Sequence, residues 1–317
     1  MEMVLSGLEQ ARAEDCDVVL GLGGGSVLDA GKAIAALMSN AGDVYDYLEV
    51  VGKGEALTHP SAPYIAIPTT AGTGTEATRN AVLAVPRRRI KVSLRSPFLL
   101  PRLAIVDPEL THDLPPEQTA TSGLDALTQL IEPFLSNGAN PMTDALCREG
   151  IRVIARSLRR AYEDGGDAEA RENMSFGSLL SGMALANAKL GGVHGFAGPI
   201  GGMFPAPHGA VCARLLPIVL ETNLTALRER GGEPPVLGRF DEVAGMLTGD
   251  PLARAEEGIQ WLRELCAALR VRGLSDYGVR EADFAEIMAA AGKSSSMQGN
   301  PIGLTEQELS RILTQAL

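Results

Sequence analysis

The apolar residues of this chain change their spacing once, near Asp107, and that change limits what it can fold into. Before it, short apolar runs alternate with segments of helical period. Asp17-Val-Val-Leu-Gly-Leu22 ends in glycines, Pro63-Tyr-Ile-Ala-Ile-Pro68 ends in a Thr/Gly run, and Leu103-Ala-Ile-Val-Asp107 ends at a proline. Apolar runs of this length, bounded by turn residues, predict buried strands of a parallel sheet. Residues 2–14 read as one helix, with Val4, Leu5 and Leu8 on a face, and Ser26 opens another that runs through about Leu37. The runs at 81–85 and 90–94 are short enough to pair with each other. Strands alternating with helices define an α/β layer.

From Pro115 onward the apolar residues recur three and four apart, as in Leu127, Leu130, Ile131 and Phe134, then Ile151, Ile154 and Leu158. No strand is predicted there. A boundary near residue 110 follows, with an α/β domain over 1–109 and an all-helical domain over 110–317, and the length of 317 residues suits two domains. There is no fixed-period repeat and no low-complexity segment, and residues 228–235 read as a surface loop.

Charge and cysteine usage narrow the function classes. Lys plus Arg is 28 against 39 Asp plus Glu, a net charge of −11, which argues against nucleic acid or an anionic membrane as the main partner. Aromatics at 4% leave no stacking platform. Cys16, Cys147, Cys212 and Cys266 form no CxxC pair, so neither a disulfide framework nor a thiolate zinc site is expected. The start lacks the pattern of a secretion signal, and no run of about 18 apolar residues is expected to span a membrane. Cytoplasmic location is the expectation.

Three constellations could carry chemistry. The first is Gly21-Leu-Gly-Gly-Gly-Ser-Val-Leu-Asp-Ala-Gly-Lys32, glycines between a strand and a helix. Bare backbone N–H groups at a helix N-terminus favour a phosphate, and Ser26 with Asp29 is read as a capping-box pair. The plain alternative is a tight strand-to-helix turn. The second, Pro68-Thr-Thr-Ala-Gly-Thr-Gly-Thr-Glu76, offers short hydroxyl and amide donors after another strand. Two such loops at the carboxyl ends of neighbouring strands are more informative than either alone, because ligands of open α/β sheets bind there.

The third involves His194 and His208, two of four histidines, which flank a glycine-rich stretch interrupted by Pro205 and Pro207. The prolines put the two imidazoles on separate elements that can converge on a metal ion. Asp125 is a candidate third ligand. It shares a helix face with Gln129, and a carboxylate on an otherwise apolar face needs a partner or a metal. His59 and His112 sit in polar loops and read as structural.

These constellations, in this order, resemble the iron-containing (group III) alcohol dehydrogenase family. The matching stretches are GGGSVLDAGKAIA, IPTTAGTGTEAT, LAIVDPELTHDLPPEQTATSGLDALTQLIEPFLSNGANPMTDALC, VHGFAGPIGGMFPAPHGAVCARLLPIVLETN and KSSSMQGNPIGLTEQELSRIL, spread over nearly the whole chain. The resemblance implies a dehydroquinate synthase-like fold: an α/β dinucleotide-binding domain with a Rossmann-like parallel sheet, here incomplete, plus an all-α domain, with the active site between them. It implies hydride transfer between a small alcohol or aldehyde and NAD or NADP. Gly24, Gly25, Ser26 and Asp29 would lie at the cofactor phosphates, Thr69, Thr70 and Thr73 near the nicotinamide, and Lys91 at the ribose. Asp125, His194 and His208 would be catalytic as ligands of a divalent metal, Fe2+ or Zn2+. Family members commonly self-associate, so a homo-oligomer is expected.

Three departures bear on that expectation. The family usually has a histidine where Gln129 stands, and an amide oxygen is a weaker, neutral donor, leaving Gln129 as a candidate fourth ligand or the site with three protein ligands and water. Gly198 replaces a histidine near the nicotinamide, so water must replace that proton relay. Family members carry a strand–helix–strand segment before the strand at Asp17. The sequence-based expectation is an internal methionine taken as the start, with weak dinucleotide binding by residues 1–317 alone. Besides the dehydrogenase reading, a metal-independent reductase of the maleylacetate reductase type and a non-catalytic remnant stand as alternatives.

Overall fold

The computed structural model describes residues 1–317. Three parallel strands lie in the order β1 (Val19–Gly23), β2 (Tyr64–Pro68), β5 (Leu103–Ala104), with Val19 opposite Tyr64 and Ile65 opposite Leu103. β5 is shorter than its apolar run. The Ile105 N–H still donates to Ala66 O, but the Asp107 carboxylate then accepts the Glu109 N–H and turns the chain into a single 3₁₀ turn over Pro108–Thr111. Residues 80–85 and 90–95 form an antiparallel hairpin of β3 (Asn80–Val85) and β4 (Ile90–Arg95), the pairing expected from their length.

Helix α1 (Glu2–Ala13) packs on α2 (Gly25–Ser39), whose Ala-rich length is favourable for helix and whose small side chains allow close contact on two sides. One side places Leu28 and Ala35 against Tyr64 and Ala66 of the sheet. The other places Ala33, Ala36 and Leu37 in a core with Val4 and Leu8 of α1 and the inward side chains of the hairpin. The short α3 (Val44–Tyr47) closes this core with Val44 and is opened by an Asp43–Asp46 capping box. The opposite face of β1 carries Leu20 and Leu22, 57% and 54% exposed, so β1 is not buried on both faces as its apolar run implied.

No strand follows Ala104. The central element is α4 (Pro116–Leu135), buried along nearly its whole length and packed by α5 (Pro141–Glu163), α6 (Ala168–Asn187) and α8 (His208–Glu229). Around them stand α7 (Gly192–Met203), α9 (Pro234–Thr248), α10 (Ala255–Ala268), α11 (Phe284–Gly292) and α12 (Glu306–Ala316). The Asn140–Thr143 and Thr305–Glu308 capping boxes fix where α5 and α12 begin. Of the 51 buried residues in this core, only Ala71 comes from before residue 120. The expectation that no segment is apolar enough to cross a membrane fails at α8, but 83% of the relevant stretch is buried within the fold.

Two close approaches join the α/β layer to the helices. Gly74, at φ +58°, lies so near α6 that a Cβ on Gly182 would stand 2.1 Å from the Gly74 carbonyl oxygen. At α7, a Cβ on Gly202 would stand 2.7 Å from Ile90 Cα, so only glycine lets that helix rest on β4. These contacts seat the Thr/Gly loop on α6 and the end of α7 on β4.

Candidate active site and metal centre

The first glycine loop ends at Gly24, the N-cap of α2, and no side chain caps that helix. The predicted Ser26–Asp29 capping box is absent, because the helix starts at Gly25, two residues earlier than a box with Ser26 as N-cap requires. Ser26 is exposed at the open end. Asp29 is buried instead, and its Oδ2 accepts the Val82 N–H at 3.1 Å, tying α2 to the hairpin. Burial raises the Asp29 pKa to about 6, against the pull of Lys32. This removes Asp29 from the phosphate-facing set.

The second loop meets the first. Thr69 N–H donates to Gly23 O at 3.0 Å, Thr70 Cγ2 lies 3.2 Å from where a Cβ on Gly24 would be, and Thr73 Cγ2 lies 2.7 Å from one on Gly25. Gly24, Gly25, Ser26, Thr69, Thr70 and Thr73 thus form one rim around the N-terminus of α2. The absence of side chains at Gly24 and Gly25 makes room for the threonines as well as for an approaching phosphate. Behind this rim, the buried Lys32 ammonium donates to Thr75 O at 2.6 Å, Thr78 O at 2.8 Å, Thr78 Oγ1 at 2.9 Å and Asn80 O at 3.0 Å. Burial lowers its pKa to about 8, opposed by Asp29 and Glu76.

Across the cleft, α4, α7 and α8 bring Asp125, His194 and His208 together. Asp125 Oδ1 lies 3.4 Å from His194 Nε2 and 3.7 Å from His208 Nε2, and the ring centroids are 5.4 Å apart. Cys212, one turn after His208, completes the group. Its Sγ is 3.7 Å from His208 Nε2 and 3.9 Å from His194 Nε2, and all four donor atoms lie within 4.8 Å of one another. The spacing of the cysteines gave no thiolate site, yet the structure places Cys212 among the candidate donors.

The surroundings fix the rings. Glu132, two turns along α4 from Asp125, accepts from His194 Nδ1 at 2.7 Å and from the Val193 N–H at 2.6 Å. His194 Nε2 therefore faces Asp125 and Cys212. Burial opposes ionisation of Asp125, but the two imidazoles and the Cys212 thiol outweigh it and hold the carboxyl below the usual range. Burial likewise works against a charge on His194, yet Cys212, Asp125 and Glu132 raise its pKa well above normal. His208 is pushed down to about 4 by burial, with His194 and Lys91 adding to the effect. The Cys212 thiol is pushed up to about 12 by burial; a coordinating metal ion deprotonates such a thiol outright.

Asp125 Oδ1 is buried and has no hydrogen-bond partner. An ionised oxygen left so is costly unless a cation takes the bond. Carboxylate, imidazole and thiol are all metal donors, so the residues fit a divalent ion. Gln129 lies on the same helix face; its Nε2 donates to Gly72 O at 3.3 Å, bridging α4 to the Thr/Gly loop, and its buried Oε1 is unpartnered. Lys91 reaches from β4 toward α7, with its Nζ 3.3 Å from where a Cβ on Gly201 would be. Burial lowers its pKa, while Cys212 and Asp125 pull it back up.

Other candidates lie elsewhere. Phe134 is packed in the helical core under Arg239, whose guanidinium carbon is 4.0 Å from the ring centroid, and Phe196 is fully buried, whereas Met203 is partly accessible. His59 pairs with Thr58 Oγ1 at 2.9 Å, and the His112 carbonyl accepts from the buried Arg171. Sequence reasoning missed Cys212 and Glu132, although the first is four residues from His208 and the second seven from Asp125, both helical spacings of one face.

A parallel-sheet nucleotide rim facing a buried group of metal donors on a helical domain defines a metal-assisted nucleotide-dependent enzyme class. The chain matches the family description "Iron-containing alcohol dehydrogenase" over residues 1–108 and "Fe-containing alcohol dehydrogenase family, C-terminal" over 119–317. It is 40% identical over 314 residues to a 1,3-propanediol dehydrogenase of Klebsiella pneumoniae, covering 99% of this chain and 79% of that one. It is 34% identical to an NAD-dependent methanol dehydrogenase of Bacillus methanolicus, over 99% of this chain and 81% of the other. The crystal structure of a 1,3-propanediol oxidoreductase superposes with a TM-score of 0.90 at 39% identity, covering 99% and 80% of the two chains. The chain belongs to the iron-containing alcohol dehydrogenase family.

Proposed function

We propose that this protein is an NAD(P)-dependent, metal-assisted dehydrogenase that moves a hydride between a small alcohol or aldehyde and a nicotinamide. The observation that carries the reading is the convergence of Asp125 Oδ1, His194 Nε2 and His208 Nε2, with Asp125 Oδ1 unpartnered, on the same helix that anchors the Thr/Gly loop. Residues 1–109 supply the nucleotide side and 110–317 the metal side. The relative named as NAD-dependent favours NAD.

The residues divide the work. The free N–H groups of Gly25 and Ser26 at the start of α2 hold the pyrophosphate, helped by the helix dipole. Thr69, Thr70 and Thr73 border the same rim and steer the nicotinamide side. Lys91 places a cation beside the ribose and the acidic donors. Asp125, His194 and His208 hold the divalent ion, and Glu132 fixes the His194 ring. When bound, the ion acts as a Lewis acid for charge developing on the alcohol oxygen. With glycine at position 198, proton exchange with that oxygen passes to water rather than to a side chain there.

Metal analysis of the purified chain, paired with an alcohol/NAD(P)H assay, tests the reading. Stoichiometric metal with turnover is the expected result. Turnover in metal-free protein would replace it with the metal-independent reductase of the same superfamily, and neither metal nor turnover would leave a non-catalytic relative.

A further inference from the structure

We propose that Cys212 supplies the fourth protein ligand of this metal site, and that the set Asp125–His194–His208–Cys212 takes zinc. The inference rests on the metal reading above and goes beyond it in naming a sulfur donor and the ion that donor selects.

Geometry carries it first. Four ligands around a tetrahedral zinc ion stand at edges of about 3.3 Å between nitrogen or oxygen donors and about 3.5 Å between nitrogen and sulfur, given the usual bond lengths. The observed separations are 3.4 and 3.7 Å from Asp125 Oδ1 to the two imidazole nitrogens, and 3.7 and 3.9 Å from Cys212 Sγ to the same nitrogens. These four edges exceed the tetrahedral values by no more than a few tenths of an ångström, and all four donor atoms lie within 4.8 Å of one another. His208 and Cys212 are one turn apart at the start of α8, so one helix face presents both donors.

Chemistry agrees. His194 Nδ1 is held by Glu132, so Nε2 is the ring atom left to coordinate, and it stands 3.4 Å from Asp125 Oδ1, which has no hydrogen-bond partner. Such an arrangement calls for a cation between them. Gln129 offers only a neutral amide oxygen, and its nitrogen is committed to Gly72. A thiolate is the stronger donor. Together with the Asp125 carboxylate it neutralises a divalent ion, and sulfur in a mixed nitrogen and oxygen set selects zinc over harder ions. The remaining thiols cannot serve: Cys16 is exposed after α1, Cys147 lies in the α4–α5 core, and Cys266 donates to Ala213 O.

The test loads metal-free full-length protein, in a Cys16→Ser background, with cobalt(II). The expected spectrum has visible ligand-field bands and a near-ultraviolet sulfur-to-cobalt charge-transfer band. Cys212→Ser should keep the former and lose the latter. Cobalt bound with ligand-field bands but no charge-transfer band in the Cys212 protein would overturn the cysteine ligand and leave the metal site standing. No cobalt uptake at all would overturn the metal site itself. Zinc-edge X-ray absorption on the Cys212 protein needs no variant at the site: a sulfur shell at about 2.3 Å supports the proposal, and a shell of nitrogen and oxygen only refutes it.

Discussion

Glu132 holds His194 from behind: one carboxylate oxygen lies 2.7 Å from the ring Nδ1, and the other accepts the Val193 N–H at 2.6 Å. A single side chain on α4 therefore fixes both the start of α7 and the direction its imidazole faces. Because Asp125 sits two turns earlier on the same helix, α4 supplies a donor and the brace for a second donor. Carboxylates that brace metal-bound histidines typically govern affinity by about 10- to 100-fold. Glu132→Gln, which keeps an oxygen for Val193 but loses the charge on Nδ1, should weaken zinc binding within that range while unfolding like wild type. Competition against a chromophoric chelator measures it; equal affinity would show that the brace does not act on the metal.

His208 begins α8 directly after Pro207, and its side chain makes no hydrogen bond that the fold depends on. His208→Ala should therefore leave the helix intact and abolish both metal retention and turnover. Elemental analysis after gel filtration should fall from near stoichiometric to trace. Full metal content with wild-type activity would remove His208 from the site.

What the sequence made legible follows from how local each signal is. The strand-to-glycine junctions at Gly23 and Pro68 and the three-and-four spacing after Pro115 are short-range patterns, and the fold honours them. Asp125, His194 and His208 stood out because ionisable groups on apolar or glycine-rich segments are costly without a partner. Cys212 did not, since a thiol is at home in an apolar core and only its distance to His208 and His194 gives it meaning. Phe134 and Phe196 adjoin site residues in sequence but point from other faces of their helices. Asp29 followed the spacing of a capping box, yet the cap belongs to Gly24, and a long-range contact with Val82 claimed the carboxylate.

Ser26 gives a test in which stability and binding move in opposite directions. It is exposed in the first turn of α2 and caps nothing. In Ser26→Glu the new charge meets the positive end of the helix dipole and should stabilise the folded chain by about 0.3–1 kcal/mol. The same charge repels a pyrophosphate, so NAD affinity should drop. Thermal melts and calorimetric titration read the two effects separately. Unchanged NAD affinity would move the phosphate site away from this helix.

Lys32 anchors residues 75–80 through four acceptors, three of them backbone carbonyls. Lys32→Met fills the same volume but leaves those carbonyls buried without donors. A loss of about 2–4 kcal/mol in unfolding free energy is expected. Faster amide exchange should be confined first to the Thr/Gly loop and β3. A variant as stable as wild type would mean that water replaces the ammonium at no cost.

Asp29 makes stability depend on pH in a defined direction. Its pKa is about 6 in the folded protein against 3.8 for the free group, so the folded state keeps a proton that the unfolded chain has already released between those values. The stabilisation this provides is complete below about pH 4 and is lost as pH rises through about 6, a change of about 3 kcal/mol. Asp29→Asn retains an oxygen for the Val82 N–H and does not titrate. Lys32 stays protonated on both sides of this window, so its altered partner shifts the variant's stability by a constant. Glu76, which burial also raises, acts alike in both proteins. Denaturant unfolding at intervals from pH 4 to 7 should therefore show the variant gaining on wild type as pH rises. Parallel profiles would mean that the Asp29 carboxyl ionises in the folded protein as it does in water.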